Sequence, residues 1–344
     1  MLTEIQIKEI KEHLEKAQNP VFFFDNDQDG LCSFLLLQKW IGRGKGVVIK
    51  SFPALDESYF RKVEELNADY IFILDKPVVS KEFFERVREK NIPVVWIDHH
   101  AIDSYIPDFV YYFNPCLFAG SCEPVTFLCY QITKQKKDLW LAVIGSIADG
   151  HLPDYYEKFL KEYPDLGIKT DNAFEVLYCS KIGEVAIILS NGLKDTTTNV
   201  VKMLRFLIRA KSPYDVLEEN SNNFSLHKRS KYIAGKYDNI LKKAKIEGDN
   251  SGDLLFFKYS GDLSVSGEIA NNLKYLYPEK IIVVVYIRGS KINLSLRGEN
   301  IRAVFLRVIE GLNSATGGGH KDAVGGQMNS EDLEIFKERL EKEF

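Results

Sequence analysis

The apolar run Val21-Phe22-Phe23-Phe24 breaks without a spacer into Asp25-Asn26-Asp27-Gln28-Asp29-Gly30, and apolar residues resume at Leu31. A buried strand that ends in three alternating carboxylates, then a glycine and an apolar helix, leaves few folds open. Carboxylates at that density repel one another and lose solvation beside a core, so they need a cation. The segment reads as the floor of a divalent-metal site.

The pattern continues along the chain. Apolar runs at Val47–Lys50, Tyr70–Leu74, Pro93–Ile97 and Phe109–Phe113 read as strands. Between them Leu31–Trp40, Ser58–Leu66 and Lys81–Lys90 have helical spacing, as does Leu2–Ala17 before the first strand. Continuous apolar strands separated by helices imply an α/β fold with a parallel sheet covered on both faces. Ligands bind such sheets beyond the carboxyl ends of the strands. Asp25, Asp27 and Asp29 stand at one such end, Asp75 at another, and Asp98-His99-His100 at a third. Asp149-Gly150-His151 closes the apolar helix Leu141–Ala148. Asp69 and Asp103 lie off these ends and read as solvated.

The 344 residues suggest two domains. Residues 191–250 read as a helical connector between a part spanning 1–190 and a smaller α/β part spanning 251–344. The smaller part has strand-like runs at Leu254–Tyr259, Ile281–Ile287 and Ile292–Leu296. Its helices are expected near Gly267–Leu276, Ile301–Leu312 and Glu331–Glu343. Gly248–Asp253 reads as a linker or turn, and Gly317-Gly318-Gly319-His320, after an Arg-bearing strand and a helix, as a phosphate-binding loop in preference to a flexible turn.

A net charge of −4 excludes a generally basic nucleic-acid binder. The lysine- and arginine-rich stretch 202–245 is either a solvated helical face or a track for a phosphate backbone, with Tyr232 and Tyr237 to stack bases. The five cysteines (Cys32, Cys116, Cys122, Cys129, Cys179) form no CxxC pair, and the expectation is buried thiols in a reducing compartment. The charged N-terminus does not resemble a signal peptide, and no apolar run reaches membrane-spanning length. The expected location is the cytoplasm, with no membrane partner.

Hard oxygen donors with one or two imidazoles suit Mn²⁺ or Mg²⁺ better than zinc. On an extended segment Asp27 and Asp29 would point opposite ways and serve different metals, with Asp75 between them. Two such metals activate water and neutralise a transferring phosphoryl group. A calcium loop of the EF-hand type is disfavoured, because Leu36 occupies the twelfth position from Asp25.

Asp27-Gln28-Asp29-Gly30, Asp75, Asp98-His99-His100 and Asp149-Gly150 resemble, in order, the four motifs of the DHH phosphoesterase superfamily. Ser295-Leu296-Arg297 and Gly317–His320 resemble its C-terminal DHHA1 domain. The resemblance implies a parallel-sheet DHH domain, a smaller DHHA1-type domain and a cleft between them. It implies two divalent cations, Mn²⁺ first and Mg²⁺ as the substitute. Asp27 and Asp75 would hold one, and Asp29, Asp75, His99 and Asp149 the other. His100 would contact the scissile phosphate or act as acid, with Asp98 orienting a histidine. Arg297, His320 and the backbone of Gly317, Gly318 and Gly319 would bind substrate phosphates.

Many small-substrate members carry a histidine where this chain has Phe23, and RecJ-like exonucleases share the extra Asp25. That leaves one metal short of a ligand unless Asp25 or water supplies it. The expected function is hydrolysis of single-stranded DNA or RNA from an end, with replication or repair proteins as partners. The alternatives are a non-catalytic Cdc45-like replication scaffold, and a nucleotidase for very short oligonucleotides or 3′-phosphoadenosine phosphate.

Overall fold

A computed structural model describes residues 1–51, 54–100 and 105–344 of the chain. Asp103 lies outside the described residues. The chain divides into two compact units, residues 1–230 and 231–344.

The first unit is built on five parallel strands in the order β2-β1-β4-β6-β7. These are β1 (Pro20–Asp25), β2 (Lys45–Ile49), β4 (Tyr70–Leu74), β6 (Val94–Ile97) and β7 (Val110–Phe113). The short strands β3 (Ala54–Leu55) and β5 (Val78–Val79) pair with each other outside this sheet. Helices α1 (Glu4–Lys16), α2 (Gln28–Ile41), α3 (Phe60–Glu65) and α4 (Lys81–Glu89) alternate with the strands. After β7 come α5 (Pro115–Ala119), α6 (Val125–Thr133) and α7 (Leu139–Ala148).

Side chains alternate across a strand, so β1 feeds two cores. Phe22 and Phe24 pack with α2, α6 and α7, whereas Val21 and Phe23 pack with Phe60, Phe83 and Phe84 of α3 and α4. Burial on both faces explains why these strands read as unbroken apolar runs. It also leaves the strand ends as the place where the sheet can present polar groups.

The second unit holds a mixed five-stranded sheet in the order β11-β12-β10-β9-β8. Its strands are β8 (Leu254–Ser260), β9 (Ile281–Arg288), β10 (Lys291–Arg297), β11 (Thr316–His320) and β12 (Ala323–Asn329). The helix Ser266–Leu276 covers one face, and the helices Ile301–Ile309 and Leu333–Glu341 cover the other.

Three expectations are corrected. Helix Phe224–Asn250 runs through the first half of the expected turn at Gly248–Asp253. Gly317–His320 is an edge strand, paired with β12 from Thr316↔Gln327 to His320↔Ala323. Close pairing demands the glycines there: a Cβ on Gly317 would lie 2.5 Å from the Gly325 carbonyl oxygen. Cys116 and Cys122 form a disulfide, while Cys32 and Cys129 are buried thiols and Cys179 is an exposed one. Asn114 caps α5 through the Cys116 amide, and the left-handed Gly120 ends it, so the intervening turn brings the two sulfurs together.

Candidate metal centre

The carboxyl end of the parallel sheet gathers the acidic segments. Asp25 is the last residue of β1, and Asp27 caps α2, accepting from the Gly30 amide at 2.9 Å. Asp29 therefore lies in the first turn of α2, not on an extended segment as its alternation suggested. Gly30 permits this turn because a Cβ there would lie 2.6 Å from the Asp25 carbonyl oxygen. The positive end of the helix dipole favours carboxylates at its N-terminus. Asp29 is also buried, with two amides of the α6 N-terminus fixing it. Val125 N donates to Oδ2 at 2.8 Å and Thr126 N to Oδ1 at 2.7 Å.

Asp75 follows β4 with a left-handed backbone, φ 56°, which turns the chain sharply at the strand end. Asp98 and His99 follow β6 and are buried, and Asp149 is the half-exposed C-cap of α7. These elements converge on one imidazole. His99 Nε2 lies 3.4 Å from Asp75 Oδ1, 3.8 Å from Asp149 Oδ2 and 3.9 Å from Asp29 Oδ2. Three carboxylates gathered within 4 Å of one imidazole nitrogen could act as ligands around a shared cation. The set is hard oxygen plus imidazole, which fits Mn²⁺ or Mg²⁺.

The electrostatics agree. Asp75 is pushed well above the usual carboxylate range by burial, then by Asp29, Asp27, Asp25 and Asp149. Asp27 opens to solvent on one side, yet desolvation and repulsion from Asp25 and Asp29 push it up to about 7. Burial raises Asp29 to about 6, against the opposing pull of His99 and the Thr126 hydrogen bonds. Each shift marks a carboxylate that burial drives toward its neutral acid unless positive charge is supplied.

His100 behaves differently. Burial lowers it, but the Asp98 charge and the 2.8 Å bond from Nδ1 to Asp98 Oδ1 prevail and raise it to about 9. Asp98 remains ionised: burial opposes this, and His100 and His99 overcome it. Asn114, which sequence reasoning missed, supports the pair. It is fully buried, and its Nδ2 donates to the His100 carbonyl at 2.9 Å and faces Asp98 Oδ2 at 3.4 Å.

Asp25 faces a group that no motif indicated. Its Oδ1 accepts from the buried Lys76 Nζ at 2.9 Å. In the second unit Arg297 and His320 share a row of the sheet, since Ala323 of β12 pairs with both. The Arg297 guanidinium is oriented by Asn271 Oδ1 at 2.5 Å and the Leu296 carbonyl at 2.7 Å.

Residues 21–149 match the DHH family, N-terminal domain, and residues 254–344 match the DHHA1 domain. RecJ from Thermus thermophilus in complex with Mn²⁺ is similar in fold, with a TM-score of 0.69 at 18% identity. That match covers 98% of this chain and 54% of the other, so this chain spans about half the length of that RecJ. Another RecJ structure bound to manganese gives 0.63 at 17% identity, over 98% of this chain and 93% of the other. CDC45 from Entamoeba histolytica gives 0.52 at 11% identity, over 98% of each chain. No curated protein sequence matches significantly. Among the described residues no helix is long and apolar enough to cross a membrane.

Proposed function

This chain belongs to the DHH–DHHA1 superfamily, RecJ-like in fold, and from that membership we propose that it hydrolyses phosphodiester bonds of single-stranded DNA or RNA from an end. The observation that carries the reading is the meeting of Asp29, Asp75 and Asp149 around His99 Nε2. In this reading residues 1–190 are the catalytic part, 191–250 the connector and 251–344 the substrate-binding part.

Asp27 and Asp75 would hold one divalent cation, and Asp29, Asp75, His99 and Asp149 the other. When bound, the two cations acidify an attacking water and offset the charge of the phosphoryl group. The Val125 and Thr126 amides fix both oxygens of Asp29, so its orientation is set before any cation arrives. His100, paired through Nδ1 with Asp98, would donate from its ring to a phosphate oxygen or to the departing oxygen. Asp98 keeps the His100 ring charged and aimed. Arg297 and His320 would bind substrate phosphates, and the Gly317–Gly319 backbone allows close approach.

The test is hydrolysis of end-labelled single strands with Mn²⁺, comparing native protein with Asp75→Ala. Equal activity in both rejects the mechanism. The likeness to CDC45 favours a second reading, a binding scaffold without catalysis. A calorimetric titration showing no Mn²⁺ uptake would support it.

A further inference from the structure

Lys76 adjoins the shared ligand Asp75 but points elsewhere. Its side chain is 2% exposed, and Nζ lies 2.9 Å from Asp25 Oδ1 and 3.1 Å from the Ser51 carbonyl oxygen. The backbone fixes this arrangement. Asp75 N donates to the Ile97 carbonyl at 3.0 Å, Asp75 adopts its left-handed turn, and Trp96 Nε1 donates to the Lys76 carbonyl at 2.9 Å. Consecutive residues therefore diverge: Asp75 faces His99, and Lys76 reaches to the end of β1.

The charges make this divergence meaningful. Asp25, Asp27, Asp29 and Asp149 all act electrostatically on Asp75, so five carboxylates share the centre. Lys76 cancels one of these charges. The four that remain equal the charge of two divalent cations. A buried ammonium needs its carboxylate partner as much as the carboxylate needs it, which commits Asp25 to Lys76.

Taking the two-metal reading as its basis, we propose that Lys76 is a built-in cation and a positioning residue that keeps Asp25 from ligating metal. The position held by Asp27 and Asp75 is thereby left with two protein carboxylates and open to water or substrate oxygens. Asp25 belongs to the charge balance of the centre, not to its ligand set.

The test is calorimetric Mn²⁺ titration of the full chain, with Mn²⁺ electron paramagnetic resonance as an independent count of bound ions. Lys76→Met is one atom shorter, keeps the apolar stem and removes the charge, and it releases Asp25. The expected result is tightening of the weaker Mn²⁺ site by about tenfold, the scale on which groups supporting metal ligands act. In the double variant Lys76→Met with Asp25→Asn, both charges go together, and the expected result is two Mn²⁺ ions at native affinity. Loss of one ion, or tenfold weakening, in the double variant would show that Asp25 is a ligand and overturn the proposal. Unchanged affinity in Lys76→Met also overturns it. Should Lys76→Met fail to fold, Lys76→Arg, expected to keep native affinity, and the double variant still decide the matter. If native protein binds no Mn²⁺, the two-metal reading falls and this inference with it. Two-ion binding by native protein with either adverse result overturns the Lys76 role alone.

Discussion

His100 Nδ1 sits 2.8 Å from Asp98 Oδ1, and the carboxylate of that pair is 1% exposed. The pair is an internal ion pair with a definite pH window. The folded His100 value of about 9 exceeds its ordinary 6.5. Its stabilisation is therefore complete below pH 6.5 and is lost as pH rises through 9. Asp98 is depressed, so its share is present above the ordinary carboxylate value and lost only as pH falls through the lower folded one. Metal-free Asp98→Asn should lose on the order of 3 kcal/mol against native protein near pH 6, from the size of the His100 shift. Urea denaturation should show the gap closing towards pH 10, above the His100 value. A gap that does not vary with pH would contradict the ion pair.

The carboxylate cluster has the opposite sign. Asp27 at about 7 and Asp29 at about 6 lie above their ordinary 3.8. As pH rises from the ordinary value through the folded ones, the metal-free protein loses stability, because the native state must give up protons it prefers to keep. Mn²⁺ should reverse this, adding about 2.7 kcal/mol at a concentration one hundred times Kd. For a unit of this size that corresponds to roughly 5–10 °C in Tm. The gain should grow between pH 5 and 7.5, as Asp29 and Asp27 ionise. Asp75→Asn should raise the metal-free Tm at pH 7.5 and abolish most of the Mn²⁺ gain. Differential scanning calorimetry with and without chelator measures both.

What the sequence showed and what it hid divide by range. Asp75, Asp98 and His99 each follow an apolar strand, and a parallel sheet collects its strand ends on one edge, so local pattern was enough to nominate them, whereas Asp149 follows a helix and gained weight only as part of the set. The groups that hold them come from far away. The Thr126 amide reaches Asp29 across 97 residues and Lys76 reaches Asp25 across 51. Such contacts leave no periodicity in the chain. Gly317–Gly319 misled for a related reason. Glycine carries no strand signal of its own, and the pairing depends on Gly325 and Gly326 opposite. Cys116 and Cys122 resemble no spacing motif, and only the turn ending at Gly120 brings them together.

Helix α7 packs so closely on α6 that the setting of Asp29 depends on a glycine outside the carboxylate cluster. A Cβ on Gly145 would lie 2.1 Å from Thr126 Oγ1, and that hydroxyl donates to the Asp29 carbonyl at 2.8 Å. Gly145→Ala must move α6, and with it the amides that hold Asp29. Overpacking of this kind costs about 1–3 kcal/mol. The expected outcome is that loss of stability together with Mn²⁺ affinity weakened about tenfold, as for other supporting residues. Normal Mn²⁺ affinity in a destabilised variant would show that the amides do not set the Asp29 geometry.

Adjacent glycines in β11 separate a structural role from a binding role. A Cβ on Gly317 would collide with the Gly325 carbonyl oxygen and Phe305, whereas one on Gly318 would meet nothing within 4 Å. Gly317→Ala should therefore loosen the β11–β12 pairing and cost about 1–3 kcal/mol by overpacking. Gly318→Ala should leave denaturation by urea within about 0.5 kcal/mol of native, as for a surface change. If a phosphate backbone approaches this strand closely, Gly318→Ala should raise KM for single strands with little change in kcat, because the added methyl obstructs binding and leaves the carboxylates of the first unit unaltered. Native KM in Gly318→Ala would place substrate elsewhere on the second unit, and Arg297→Lys then becomes the sharper probe, since lysine cannot reproduce a guanidinium held by Asn271 and the Leu296 carbonyl.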